Sequence, residues 1–281
     1  MPAVRRLSMI RGTFSLIMKE WDYYSHENGV VFGYFPKLQS QGLRHGVSTR
    51  IGGCSRDELA SLNLGIKVND SPDNIRVNRD KFCEAVGVDA GRVVASGQIH
   101  GDHVAVVDEL QAGRRLADTD GLVTNRPNLP LLLFFADCVP LLLYDPVRQV
   151  IGLSHAGWKG TFLSIGPKTL NVMQHTFGTD PEDCLAGIGP SIGPNDYEVD
   201  EPVLTEIRTR WKSPELFSRP CRPGHWLLNL WDWNRQQLID AGVPASNVAI
   251  SGVSTARQSD LFFSHRASAG KAGRFGVLMS L

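Results

Sequence analysis

Short apolar-rich runs, each closed by turn residues, recur along this chain: 29–35, 92–96, 104–107, 131–135, 141–144, 150–154, 185–188, 248–251 and 275–279. Most are short enough to be strands. Helical signals interleave with them. Ser71-Pro72-Asp73-Asn74 offers an N-cap, a proline at the first helical position and an early acid, and Ile75, Phe82 and Val86 then recur at helical spacing. A second helix follows Trp158, with Phe162, Leu170 and Met173 apolar and Gly178 just past its end. Pro167 must kink or divide it. Residues 201–211 and 231–241 are further helical candidates. The mixture predicts an α/β or α+β single domain with one or two mixed sheets.

The chain has 281 residues, of which 42% are hydrophobic and 21% charged, enough to build a sizeable core. Its 29 basic and 29 acidic residues balance, so no general electrostatic footprint for nucleic acid is expected. The five cysteines (Cys54, Cys83, Cys138, Cys184, Cys221) are odd in number and none pair as C-x-x-C. That fits a reducing cytosol better than a disulfide framework. Residues 129–144 are the most apolar region, but Pro130, Asp137 and Pro140 interrupt it, and no stretch is long enough to span a bilayer. Arg5, Arg6 and Arg11 precede an apolar run from Phe14 to Met18, which Lys19 and Glu20 break too soon for a secretory signal. That run reads as an edge strand or an extension, and the expected location is cytoplasmic.

Three residues of metal-binding type stand in short motifs of their own: His100 in Gln98-Ile99-His100-Gly101, Cys138 in Ala136-Asp137-Cys138, and His155 in His155-Ala156-Gly157-Trp158. Two imidazoles and a thiolate can bind a transition metal and leave its fourth position open, which is a catalytic arrangement. All three fall at strand edges, where open sheets place ligand sites. Their spacings are long enough for separate strands to bring them together. Each also has a plainer reading: a lone cysteine is often core, and a lone histidine is more often hydrogen-bonded than a ligand. His103 rivals His100 as the ligand. Asp137, a carboxylate directly after a long apolar run, is costly there unless paired or functional. It can orient a metal-bound histidine or act as a general acid or base.

Other motifs suggest a pocket. Thr49-Arg50-Ile51-Gly52-Gly53 is a glycine loop in which Arg50 and backbone N–H groups can hold an anion. Asn63 is a candidate hydrogen-bonding group, Lys159 a candidate anion contact, and Trp158 either stacks on a planar base or fills core. Gly189-Pro190-Ser191-Ile192-Gly193-Pro194 is suited to walling a pocket or simply turning the chain.

Taken in order, these motifs, with Ser61-Leu62-Asn63-Leu64-Gly65, Asn78-Arg79, Asp118-Thr119-Asp120-Gly121 and Phe262-Phe263-Ser264-His265-Arg266, resemble one known family. Its members have been described as multicopper polyphenol oxidases (laccase-like), later as purine nucleoside phosphorylases, and linked to peptidoglycan precursor editing. The resemblance covers roughly residues 45–281, leaving 1–44 as an N-terminal extension packed on the core. It implies an α+β fold, a layered α/β/β/α sandwich with mixed sheets. It also implies a zinc site at His100, Cys138 and His155, which favours His100 over His103. The implied activity is phosphorolysis of purine nucleosides (adenosine, inosine, guanosine, methylthioadenosine), together with adenosine deamination. Two departures stand out: Lys159 sits where the family commonly has arginine, and Ser254-Thr255 replaces a Cys-Thr pair.

The resemblance leaves three chemistries to weigh. In the first, zinc polarises a substrate oxygen, Arg50 and Lys159 hold phosphate, Asn63 binds substrate and Asp137 relays a proton. In the second, without metal, Cys138 is a nucleophile with His155 or His100 as its base, giving an amidase or deamidase. The third is a single-copper polyphenol oxidase, since two histidines and a cysteine also suit copper. A four-copper centre needs more histidines than the eight present. A non-enzymatic binding protein with a vestigial pocket is the remaining class.

Overall fold

A computed structural model describes residues 19–211 and 213–281. The run from Phe14 to Met18, expected as an edge strand or extension, lies outside them. The first sheet runs in the order β1 (Asp22–Ser25), β2 (Val31–Tyr34), β3 (Arg44–Ser48), β16 (Phe275–Ser280), β8 (Leu131–Phe135), β4 (Val94–Gly97), β6 (Arg115–Ala117). The second runs β15 (Val248–Ile250), β11 (Leu185–Ile188), β9 (Val139–Asp145), β10 (Val150–Ala156), β7 (Gly121–Thr124), β5 (Val104–Val106). A three-stranded ribbon, β12 (Glu198–Asp200), β14 (His225–Leu228) and β13 (Ser218–Arg222), stands apart. Both large sheets are mixed: β4 runs parallel to β6 and β8 in the first, and β11 runs parallel to β15 and β5 to β7 in the second.

Alternation along the strands explains why two sheets stack. Leu131, Leu133 and Phe135 of β8 and Leu142 and Tyr144 of β9 join one buried cluster between the sheets, with Val47, Ile151, Leu153, Val277 and Met279. The opposite faces of the same strands serve other layers. Leu132 packs outward with Phe82, Leu64 and Leu278, under helix α2 (Pro72–Val86). Leu141 and Leu143 pack outward with Leu170, Met173, Trp233 and Leu238. These last come from α4 (Ile165–Phe177) and α6 (Leu230–Asp240), which cover the second sheet with α3 (Trp158–Phe162). The short α1 (Pro36–Ser40) and α5 (Glu201–Arg210) complete the helices among the described residues. The result is the expected α/β/β/α sandwich. Residues 22–34, expected within an extension on the core, form two strands of the first sheet itself.

Two helix expectations resolve in detail. Ser71 takes the N-cap position of α2 but makes no side-chain capping bond; Gly87 closes the helix at φ 79°. The helix after Trp158 is divided, but at Ser164, whose φ is 61°, and not at Pro167. Pro167 lies in the first turn of α4, where its missing N–H leaves no helical bond unmade.

Candidate metal centre

The chain passes from the first sheet to the second between β8 and β9, and Ala136, Asp137 and Cys138 make that crossing. The turn is sharp: Asp137 has φ 84°. It delivers Cys138 to the rim of the seam between the sheets. His155, on β10 with the same parity as Ile151 and Leu153, faces that seam and meets Phe135 of the opposite sheet at 5.4 Å between ring centroids. His100 comes in from the loop after β4, at φ 62°.

The donor atoms of His100, Cys138 and His155 all lie within 4.8 Å of one another. Burial grades across the set: His155 is buried, Cys138 half-buried and His100 exposed. The two imidazoles sit edge to face, 4.9 Å apart. A nitrogen, sulfur, nitrogen set this compact, open on the His100 side, fits a transition metal with one position left for substrate. Among the described residues this is the one group of three or more histidine, cysteine or acidic side chains so placed. His103, the rival, is turned away with Nδ1 on the Asp118 carbonyl oxygen at 3.1 Å.

The carboxylate that organises the centre is Asp120. Its Oδ1 lies 2.8 Å from His155 Nδ1, and the carboxylate also accepts the backbone N–H groups of Ile99, His100 and Gly101 at 3.1, 3.1 and 2.9 Å. Burial raises its pKa, but these donors and the charge of His155 outweigh that and bring it down to about 2. Burial likewise pushes the Cys138 thiol up, yet the charge of His155 and hydrogen bonds from both histidines bring it down to about 6. Burial pushes His155 down, while the Cys138 thiolate and Asp120 raise it to about 9. Without metal, the shifts of Cys138 down and His155 up both favour a thiolate beside an imidazolium. Buried Cys83 and Cys184 go the other way, both to about 12, chiefly through burial.

Asp137, expected to orient a metal-bound histidine or to act as a general acid or base, lines the cavity and bonds to its wall rather than to a histidine. Its Oδ1 accepts from Thr255 Oγ1 at 2.6 Å and its Oδ2 from the Arg266 backbone N–H at 2.7 Å. Its own carbonyl oxygen accepts from Ile192 N–H at 2.9 Å. It therefore clasps three loops around the cavity wall. Gln98 extends β4 sideways, its amide pairing with both the N–H and the C=O of Phe134. Gly157 is required where it stands, since a Cβ there would lie 2.8 Å from Cys138 Sγ.

The centre opens into a cavity of about 680 Å³, lined among others by Lys67, Arg115, Phe134, Tyr197, His265 and Arg274. Three candidates from the sequence lie outside that lining. Arg50 donates its guanidinium to the carbonyl oxygens of Ala60, Ser259 and Glu58 and lies over the Phe263 ring. Asn63 is fully buried and bonds Gly65, Asp70 and the Arg274 N–H, holding its own loop. Lys159 is exposed on α3, beside Trp158. Sequence reasoning had given no role to Asp120, Arg115, Tyr197 or Arg274, although Asp120 and His265 stood in motifs already singled out.

Two stacked mixed sheets with helical outer layers, and a histidine–cysteine–histidine centre at the seam, define a class of α/β/β/α protein with one metal-type site. The chain belongs to the family described as multi-copper polyphenol oxidoreductase laccase, whose model matches residues 44–281. It is 36% identical over 236 residues to the purine nucleoside phosphorylase YlmD of Bacillus subtilis, covering 82% of this chain and 85% of that one. It is 37% identical over 248 residues to a purine nucleoside phosphorylase of Deinococcus radiodurans, covering 88% and 93%. Among solved structures, the Bacillus licheniformis hypothetical protein YfiH superposes with a TM-score of 0.86 at 34% identity, covering 92% of this chain and 98% of that one. YlmD from Geobacillus stearothermophilus gives 0.85 at 33%, with the same coverage.

Proposed function

We propose that this chain is a zinc-dependent purine nucleoside phosphorylase. The observation that carries the reading is the convergence of His100, Cys138 and His155 at the mouth of a cavity sized for a nucleoside, in a chain whose relatives bear that name. In phosphorolysis a phosphate oxygen bonds to the ribose C1′ as the bond from C1′ to the purine nitrogen breaks. The electron pair leaves with the purine, which takes up a proton. A zinc ion held by His100, Cys138 and His155 would supply Lewis acidity toward a substrate oxygen. The protein's own residues do the rest. Asp120 holds His155 by Nδ1, leaving Nε2 to face the ligand set. Phe134 and Tyr197 offer aromatic walls to a purine, and His265 is a proton donor for the departing base. Lys67, Arg115 and Arg274 provide positive charge.

Adenosine deamination is a second reaction that the same centre supports, with ammonia release as its readout. Zinc is preferred to copper because no methionine is among the described residues lining the cavity to serve as an axial ligand. The five free cysteines fit a cytoplasmic location. Zinc-loaded protein with inosine and phosphate should yield hypoxanthine and ribose 1-phosphate, and Cys138→Ala should lose both zinc and turnover. Absence of product with inosine, adenosine and guanosine would sink the proposal.

One observation favours a rival. Cys138 Sγ lies within 4.8 Å of donor nitrogens of both His100 and His155, and its lowered pKa beside the raised pKa of His155 suits a nucleophile and base for an amidase. Metal-stripped protein that keeps an amide-hydrolysing activity, and loses it to a thiol-alkylating reagent, would establish that reading instead.

A further inference from the structure

A second cavity, of about 410 Å³, lies between α2 and strands β4, β6 and β8, on the outer side of the first sheet. Arg76, Arg79, Arg114 and Arg115 line it, with Asp70 and Asp80. Both carboxylates are already engaged. Asp80 faces Arg76 at 3.5 Å. Asp70 accepts from Ser55, Asn63, Asn74 and the Ser71 N–H. Arg79, Arg114 and Arg115 have no ion pair among the described residues.

Arg79 is the telling member. It is half-buried, its Nε and Nη2 donate to the Leu64 carbonyl oxygen, and its guanidinium lies over Phe134, 4.6 Å from the ring centre. Burial lowers its pKa first and the like charge of Arg115 lowers it further, to about 10. A cation buried beside another cation is costly unless an anion joins them. The two cavities adjoin: Ile66 and Arg115 line both, and Phe134, under Arg79, lines the larger one.

We infer that the smaller cavity is a phosphate subsite, in which Arg79, Arg114 and Arg115 hold a phosphate dianion at its boundary with the cavity of His100, Cys138 and His155. Guanidinium forks match phosphate oxygens two at a time; Arg114 and Arg115 can each offer one, while Arg79, whose Nε and Nη2 hold the Leu64 carbonyl oxygen, adds its Nη1 and its charge. The same chemistry serves inorganic phosphate and the phosphoryl group of a sugar 1-phosphate. As the phosphate site of the reaction, the assignment rests on the phosphorolysis proposed above; as an anion site, it does not. It passes to these arginines the part that the sequence suggested for Arg50 and Lys159.

The test measures binding of inorganic phosphate and, separately, ribose 1-phosphate to the zinc-loaded full chain, by calorimetry at fixed ionic strength. Arg115→Gln and Arg114→Gln change exposed side chains, and Arg148→Gln removes an equal charge far from the cavity in sequence and on the second sheet's hairpin turn. Arg115→Gln should weaken phosphate binding by about tenfold or more. It should raise the phosphate KM of inosine phosphorolysis similarly, with the inosine KM within about twofold. Arg148→Gln should bind as the parent does. Weakening of ribose 1-phosphate alone would assign the subsite to the product's phosphoryl group. Unchanged binding of both ligands in Arg114→Gln and Arg115→Gln, or equal loss in all three variants, would overturn the site. Arginine-dependent phosphate binding without any nucleoside cleavage would keep the site and remove the phosphorolysis reading. Phosphorolysis with an unchanged phosphate KM in Arg115→Gln would do the reverse.

Discussion

Asp120 shows how one buried carboxylate can fix two histidines of the candidate centre that arrive from different places in the chain. It holds His155 through the ring and His100 through the backbone, and it fastens the loop that puts His100 at positive φ. Its own sequence context, Asp118-Thr119-Asp120-Gly121, reads as a turn. Only the pairing reveals it: β10 and β7 are antiparallel with Ser154 opposite Gly121, which sets the next pair, His155 and Asp120, side by side. The ligands were legible because histidine and cysteine are rare and chemically marked. Their organiser was not, because an aspartate is common and its role depends on register. Asp120→Asn should lower metal affinity by about 10- to 100-fold, measured by competition with a chelator, while the protein stays folded. Unchanged affinity would leave Asp120 a purely structural residue.

The same residues fix the sign of a pH effect. Without metal, the Cys138 thiolate and Asp120 raise His155 to about 9, and the two histidines lower Cys138 to about 6. A metal ion must displace the His155 proton below about pH 9, and the Cys138 proton as well below about pH 6. Metal affinity should therefore rise with pH by about one decade per unit between those limits and more steeply below them, flattening above the upper one. A flat profile across the middle of that range would show that the imidazolium does not form.

At the scale of elements, the strands of both large sheets were mostly visible because their side chains alternate between two apolar layers. β6 and β13 carry mostly exposed residues and give no such pattern; β1, β7, β12 and β14 also escape a reading by apolar runs, although β7 is fully buried and β14 (His225-Trp226-Leu227-Leu228) is largely sheltered. What sequence could not show is how close α4 presses on the second sheet. Gly152 on β10 lies under it: a Cβ there would come within 2.7 Å of Thr169 Cγ2 and 3.0 Å of Met173 Sδ. Gly121 on neighbouring β7 is similarly tight, with Thr169 Oγ1 at 3.3 Å. Ser154 Oγ completes the contact by a hydrogen bond to Thr169 Oγ1 at 2.6 Å. Gly152→Ala should force α4 outward and destabilise the fold by about 1–3 kcal/mol in urea denaturation, with metal content unchanged. A neutral substitution would mean that the helix yields without cost.

At the scale of the whole molecule, the place of the centre follows from how the chain is threaded. A two-sheet sandwich must cross from one sheet to the other, and here the crossing residues supply one candidate ligand, Cys138, while a strand on one side and a loop from the other bring His155 and His100 to it. Among the described residues no further histidine joins the group of three, although His265 lines the same cavity. His45 is buried in the first sheet, its Nε2 accepting from the Phe35 N–H, and burial holds its pKa down to about 4. His175 is bonded to its own helix and His225 to its own turn. The multi-copper name attached to the family therefore asks for ligands that this fold does not bring together among the described residues. The chain should hold one tightly bound zinc, cobalt or copper ion, counted by elemental analysis after gel filtration, and Cys138→Ser should lose the thiolate-to-metal charge-transfer band of the cobalt form. Two or more tightly held ions per chain, or a cobalt spectrum indifferent to Cys138, would show that the metal binds elsewhere and that the seam between the sheets is not where the chemistry occurs.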